Sequence, residues 1–188
     1  MSAASLEPFI ELASGFRSNC DNFCCWGREL GRRVNYVLDG DGRLAWMDIV
    51  AALVAPCSPE VLFGWVDDLA LYPQWLEIVS KAEPMDGGAW AVDLRGRLGP
   101  LARSKRLRMA RGANTAPLSV RFERAELDRR DHSPWVLEAT VAPHVDGAEL
   151  HMRLHYGGGL FGPLLERVLR DEIERSRLRL LGLVTSAS

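Results

Sequence analysis

Glu172 and Ser176 lie four residues apart in a stretch where Leu164, Leu165, Val168, Leu169, Ile173 and Leu180 recur at helical spacing. At about 100° per residue both polar groups fall near the centre of the stripe set by Leu165, Val168 and Leu169. A carboxylate facing an apolar pocket has its charged form disfavoured by desolvation, which suits it to act as an acid, a base or a ligand's hydrogen-bond partner. The other reading is that the stripe drifts along the helix, because Ile173, Leu180 and Val184 centre elsewhere and Arg175 and Arg179 flank Glu172. Glu172 would then reach solvent or pair with an arginine. Both orientations are open from sequence alone.

The remaining chemistry-bearing residues point to nothing as specific. Gly157-x-Gly159-x-x-Gly162 matches the dinucleotide fingerprint in form, following a strand and opening a helix. A dinucleotide site also needs a second parallel strand and an acidic residue about 20 positions on, and here the sequence stops after the helix. Cys20-x-x-x-Cys24-Cys25 lacks the two spaced ligand pairs of a zinc site, and no histidine precedes His132. His151 and His155 alternate onto one face of a strand without an evident third ligand, and His132 and His144 sit in turns. Lys105, Arg106, Arg108 and Arg111 form a basic strand without interleaved aromatics, so a solvated face is expected rather than single-strand nucleic-acid binding. No Ser-His-Asp order, nucleophile elbow or paired-carboxylate motif stands out. No cofactor and no metal are expected.

The elements that must position these residues follow from composition and pattern. The chain has 188 residues, 47% of them hydrophobic, with a net charge of −2, which offers no global attraction for nucleic acid or anionic lipid. The four cysteines do not space like a stapled secreted domain and are expected as reduced thiols. No apolar run approaches the roughly 20 residues of a membrane helix, and no basic segment precedes an apolar signal core, so the expected location is cytoplasmic. Residues 1–45 are broken by glycines and close on Asp39-Gly-Asp-Gly42, and they are expected to form an extension, poorly ordered or preceding a natural start at Met47.

From Trp46 the pattern is regular. Trp46 to Ala55 reads as a strand, and Ser58-Pro59-Glu60 as an N-cap, first-turn proline and early carboxylate opening a short helix. Leu69 to Trp75 suggests a second short helix broken by Tyr72-Pro73. Strands are expected over 78–84, 89–95, 101–110, 118–125, 135–141 and 148–156, seven in all with the first. Alternation points Trp90, Val92, Leu94, Leu107, Met109, Leu118, Val120 and Phe122 inward, with Trp135, Leu137, Ala139, Val141, Leu150, Met152, Leu154 and Tyr156. Short turns between consecutive strands imply an antiparallel sheet with one solvated face. Pro163 opens a closing amphipathic helix of five or more turns, supported by Glu166–Arg170 and Asp171–Arg175 pairs.

One strand, two short helices, six strands and a long C-terminal helix make an α+β order that resembles the helix-grip fold of the START-related, Bet v 1-like (SRPBCC) superfamily. The resemblance is to its bacterial polyketide cyclase/dehydrase and lipid-transport branch. It rests on Val54-Ala-Pro-Cys-Ser-Pro-Glu-Val-Leu-Phe-Gly-Trp-Val-Asp-Asp68, on Tyr72-Pro-Gln-Trp-Leu76 and on the glycine-rich turn with Leu164 to Ser176. It implies one domain over 46–184, followed by a tail at 185–188, with an apolar cavity between sheet and last helix. Trp75, Trp90, Leu94, Leu107, Met109, Phe122, Leu137, Met152, Leu165, Val168, Leu169 and Glu172 are then the expected lining. The expected partner is a small hydrophobic molecule, such as a lipid, polyketide or quinone-like compound, and not nucleic acid. An alternative is a cyclase or dehydratase in which Glu172, Ser176 or Tyr72 transfers protons. A third is a protein-interaction module with a collapsed cavity. The inward positions are almost wholly apolar, which favours binding over acid–base catalysis.

Overall fold

The computed structural model describes residues 32–38, 40, 44–98, 101–157 and 163–186; at the ends of some elements, 163–171 among them, the description extends to the backbone alone. Eight strands form one antiparallel sheet: β1 (Arg32–Leu38), β2 (Leu44–Ala55), β3 (Val79–Met85), β4 (Ala89–Leu98), β5 (Leu101–Thr115), β6 (Ser119–Arg124), β7 (Trp135–His144) and β8 (Gly147–Gly157). Their spatial order is β1-β2-β8-β7-β6-β5-β4-β3, so the first strand of the regular pattern closes against the last. The helices are α1 (Pro59–Val66), a 3₁₀ helix at Leu69–Gln74, and α2 (Pro163–Ser186). The seven strands expected from Trp46 onward are all present in helix-grip order. An eighth, β1, comes from the stretch expected to lie outside the domain and pairs with β2 from Arg32↔Ala51 to Leu38↔Leu44.

Local sequence accounts for the short helices. The Ser58 side chain accepts the Val61 N–H at 3.4 Å with Pro59 at the first position, and Asp68 caps the 3₁₀ helix by accepting the Ala70 N–H at 2.9 Å. Both helices bury their apolar sides: Leu62, Phe63, Val66, Leu69 and Tyr72 join the main core with Val92, Leu107, Val120 and Phe122. A smaller cluster of Met47, Ile49 and Tyr156 sits under Ile173, and Ile78 and Trp135 bridge the two.

Alternation assigns most strand faces as found, but Leu118 is 49% exposed. It precedes β6, in a turn where its N–H donates to the Thr115 carbonyl, so strand parity does not govern it.

Candidate functional site

Between the sheet and α2 lies a cavity of about 110 Å³. Its floor is β2, β8 and β7, where Ile49, Ala51 and Leu53 stand beside Leu154, Met152 and Leu150, with Leu137 on the far strand. The central rung runs Ala51↔Met152↔Ala139, so a flexible methionine stands between two methyl groups, and Ala52 adds another small side chain. Short side chains on the middle of a sheet leave the space that neighbouring leucines would fill. Trp75, Leu76 and Ile78 close one end where the 3₁₀ helix leads into β3.

The roof is α2, through Glu172, Ile173, Ser176, Arg177 and Leu180. Glu172, Ser176, Leu180 and Val184 repeat every four residues and are all nearly inaccessible, the spacing that makes one helix face. Glu172 therefore faces inward, and it also pairs with an arginine, combining the two orientations that the sequence leaves open. Its Oε1 accepts the Ile78 N–H at 3.2 Å and the Ser176 hydroxyl at 3.1 Å, and its Oε2 accepts Arg175 Nη2–H at 3.0 Å. Burying a carboxylate is costly unless its lone pairs are met, and here three donors meet them. Arg175 remains half-exposed and reaches Glu77, as does Arg179, so the ion pairs run from cavity wall to surface.

Of the side chains expected to line a cavity, Trp75, Leu137, Met152 and Glu172 do so, together with Ser176. Trp90, Leu107, Met109 and Phe122 are buried in the solid core under the short helices, with half-buried Leu94 packed against it. There they share one core cluster with Leu62, Phe63, Val66, Leu69 and Tyr72 of the short helices and with Leu180 and Val184 of α2. Trp90 and Phe122 meet edge to face at 5.4 Å, and Tyr72 and Trp75 pack against each other at 4.7 Å. Arg111 locks this layer: Nη1–H donates to Asp67 Oδ1 and Nη2–H to the Asp67 carbonyl, both at 2.5 Å, with the guanidinium 5.3 Å from the Trp90 ring. Tyr72 is fully buried, does not line the cavity, and donates its hydroxyl to the Val66 carbonyl at 3.0 Å. Burial, with Asp67 nearby, pushes its phenol above the ordinary range. The side chains of Leu165, Val168 and Leu169, like those of the expected Glu166–Arg170 and Asp171 pairs, lie outside the described residues.

Sequence reasoning missed Ile49, Ala51, Ala52, Leu53, Leu76, Ile78, Leu150, Leu154, Ile173, Arg177 and Leu180 as lining. The inward parity of Leu150 and Leu154 was a usable signal; the missing information was that β2 would lie against β8, bringing two remote strands under the helix.

The other motifs are accounted for by partners within the fold. His155 Nδ1 lies 2.9 Å from Asp48 Oδ1, and His151 Nε2 lies 3.1 Å from Glu149. Burial would raise the Asp48 carboxyl, but hydrogen bonds from Arg153 and His155 outweigh that and hold it below its ordinary value. The basic strand is occupied internally: Arg106 forks onto Asp93, Arg108 donates to the Ala125 carbonyl at 2.7 Å, and Lys105 lies over the Trp135 ring. Every strand pairing is antiparallel, so the described residues contain no βαβ unit of the kind a dinucleotide site requires; residues 158–162 of the glycine motif lie outside them. Cys20, Cys24 and Cys25 also lie outside the described residues, and Cys57 is free, its thiol pushed up by burial. No group of three potential metal ligands occurs among the described residues, and none of their helices is long and apolar enough to cross a membrane.

An antiparallel sheet gripping its C-terminal helix, with two short helices after β2, settles the architecture. The chain has the helix-grip fold. Several solved structures are similar to it. A START superfamily protein from Mycobacterium smegmatis matches with a TM-score of 0.55 at 16% identity, covering 76% of this chain and 99% of that one. An aromatase/cyclase from a Streptomyces species matches at 0.56 and 12%, covering 74% and 94%. A protein from Thermus thermophilus matches at 0.57 and 18%, covering 75% and 99%. No family model matches the sequence, and no curated protein does.

Proposed function

We propose that this helix-grip domain binds a small hydrophobic molecule in the cavity between β2–β8–β7 and α2. The observation that carries this reading is an open space with an apolar floor, roofed by a helix whose few polar groups there are gathered at Glu172, Ser176 and Arg177. Ligand sites have that composition, mostly apolar with a few placed polar groups. At about 110 Å³ the space is smaller than a drug-sized pocket and closer to the roughly 150 Å³ cavities that take up a benzene. One ring or chain end of a lipid, polyketide or quinone-like compound fits it, and a longer ligand requires Met152 to change rotamer. The space is open rather than collapsed, which weighs against a pure protein-interaction module. Native mass spectrometry of freshly purified protein tests the proposal. The expected result is a stoichiometric hydrophobic passenger, or saturable one-to-one binding of an added one-ring compound. A ligand-free protein that saturates with no such compound would sink it.

A second reading, proton transfer on a bound polyketide, is favoured by the Ser176–Glu172 hydrogen bond on the cavity wall. One similar structure belongs to an aromatase/cyclase. Binding remains the primary reading because three protein donors already occupy most of the lone pairs of Glu172, leaving little of the carboxylate free to take a substrate proton. Unchanged turnover of a candidate polyketide in Glu172→Gln would remove this second reading.

A further inference from the structure

We propose that the part of a ligand entering this cavity is bare hydrocarbon, a chain end or an unsubstituted ring, and that its oxygen-bearing groups stay outside. This rests on the ligand-binding reading above and decides among the compounds it allows. The tail of a lipid enters, whereas the oxygenated rings of a polyketide or the head of a quinone do not.

The polar groups that border the space are spent inside the protein. At the end where the 3₁₀ helix leads into β3, the Leu76 N–H donates to the Tyr72 carbonyl at 2.7 Å, and the Leu76 carbonyl accepts the Val79 N–H at 3.0 Å. The Ile78 N–H donates to Glu172 at 3.2 Å, and the Ile78 carbonyl accepts the Arg95 N–H at 2.8 Å. The Trp75 indole N–H donates to the Trp65 carbonyl at 3.3 Å. On the floor, β8 is the middle strand and pairs along both edges, with β2 and with β7. On the roof, the Ser176 hydroxyl donates to Glu172, which also accepts from Ile78 and Arg175, and Arg177 Nη1–H donates to Glu174. Arg177 Nε is shut off even from a water molecule, so it offers a ligand nothing. These polar groups fasten α2 to the segment before β3 rather than addressing an occupant. The remaining wall is carbon and one thioether, from side chains such as Ile49, Leu53, Leu150, Met152, Leu154 and Ile173. A hydroxyl or carbonyl moved from water into such surroundings gives up its hydrogen bonds and regains none, which weakens binding by about tenfold or more. A methyl group gains from the same transfer.

The test uses two pairs of probes that exchange a methyl for a hydroxyl at nearly constant shape: toluene with phenol for a ring, and n-pentane with n-butanol for a chain end. Affinities for the full chain are measured by ligand-observed NMR titration. In at least one pair the hydrocarbon is expected to bind and its hydroxyl partner to bind at least tenfold more weakly, and the pair that does so tells ring from chain end. Met152→Gln keeps the length of the side chain and sets an amide on the floor beside the ligand. It is expected to reduce the preference for hydrocarbon at least fivefold, because the hydroxyl then finds a partner. A preference below tenfold in every pair that binds wild type overturns this inference and leaves the ligand-binding reading standing. A folded Met152→Gln whose preference shifts less than fivefold overturns it too, and the wild-type comparison carries the test alone if that variant does not fold. Failure of all the probes to bind wild type overturns the ligand-binding reading and this inference with it.

Discussion

Filling the cavity from its floor gives the most direct check on the site. Ala51 pairs with Met152 on β8 and with Arg32 on β1, and its methyl group faces the space below α2. Ala51→Leu adds three carbons there. At ~0.8 kcal/mol per buried methylene that is about 2.4 kcal/mol of added burial. Filling 110 Å³ at ~24 cal/mol per Å³ corresponds to about 2.6 kcal/mol, so the two routes agree. Against this stand about 0.5–1 kcal/mol of lost leucine rotamer freedom and part of the 1–3 kcal/mol that imperfect fit costs in a packed interior. The expected net change lies between zero and about 1.5 kcal/mol of stabilisation. For a chain of this length that raises Tm by about 0–6 °C, at roughly 2–4 °C per kcal/mol. Binding of an added one-ring aromatic compound should weaken at least tenfold in the same protein. Urea unfolding followed by tryptophan fluorescence, together with a ligand-observed NMR titration, measures both. A loss of more than about 2 kcal/mol would mean that no such space exists, on the scale of overpacking penalties. Unchanged binding would place the ligand elsewhere.

Three further outcomes follow from the same geometry. Tyr72→Phe should cost about 1 kcal/mol near neutral pH by leaving the Val66 carbonyl unmet. Because folding raises the Tyr72 phenol above its ordinary 10.0, its contribution is full below that pH and declines above it. The gap between wild type and variant in urea unfolding should therefore narrow as pH climbs past 10. Asp48→Asn should lower stability at neutral pH by about 1 kcal/mol, the scale of a partly exposed pair. Folding depresses the Asp48 carboxyl, so its contribution is present above the ordinary value of 3.8 and is lost as pH falls through the folded one. The two proteins should converge in acid unfolding curves as pH falls below 3.8. Arg111→Lys should not be conservative: an ammonium cannot hold both Asp67 acceptors while lying flat on Trp90, and about 1–2 kcal/mol is expected, read as a Tm lowered by about 2–8 °C.

Much of the fold is legible because its signals are local. Alternation in Val120 and Phe122, or in Leu150 and Tyr156, states the face directly, and Ser58-Pro59-Glu60 carries its own cap chemistry. The signal for strand β1 is equally local: Val34, Tyr36 and Leu38 alternate, and Asp39-Gly-Asp-Gly42 separates them from β2 as a hairpin loop would. The glycines around it hide that pattern and make the whole stretch read as an extension. The cavity is a different matter. Its floor exists because Ala51, Met152 and Ala139 share a rung, a fact about strands about 100 residues apart that no window of sequence contains. The inward parity of Trp90 and Phe122 points to a site beneath them, but Tyr72 packs edge-on against Phe122 and Asp68 accepts from the Trp90 indole, so both belong to the core. Glu172 illustrates the limit most directly. Its helical phase places it inward, yet the Ile78 N–H that secures it lies 94 residues away.

The pairing of β2 with β8 has a consequence for how the protein is made. Strands β3 to β8 each pair with the next in order of synthesis, so that meander can assemble as it emerges from the ribosome. Strand β2 emerges early and must wait, because its Asp48 meets His155 only after 107 further residues have been added. Loops that long make the closing step slow compared with forming neighbouring hairpins. The cavity is therefore the last region to be built. A chain truncated before β8 lacks the middle strand of the cavity floor, and β2, paired on one side with β1, is left in the interval with its other edge open to association with other chains.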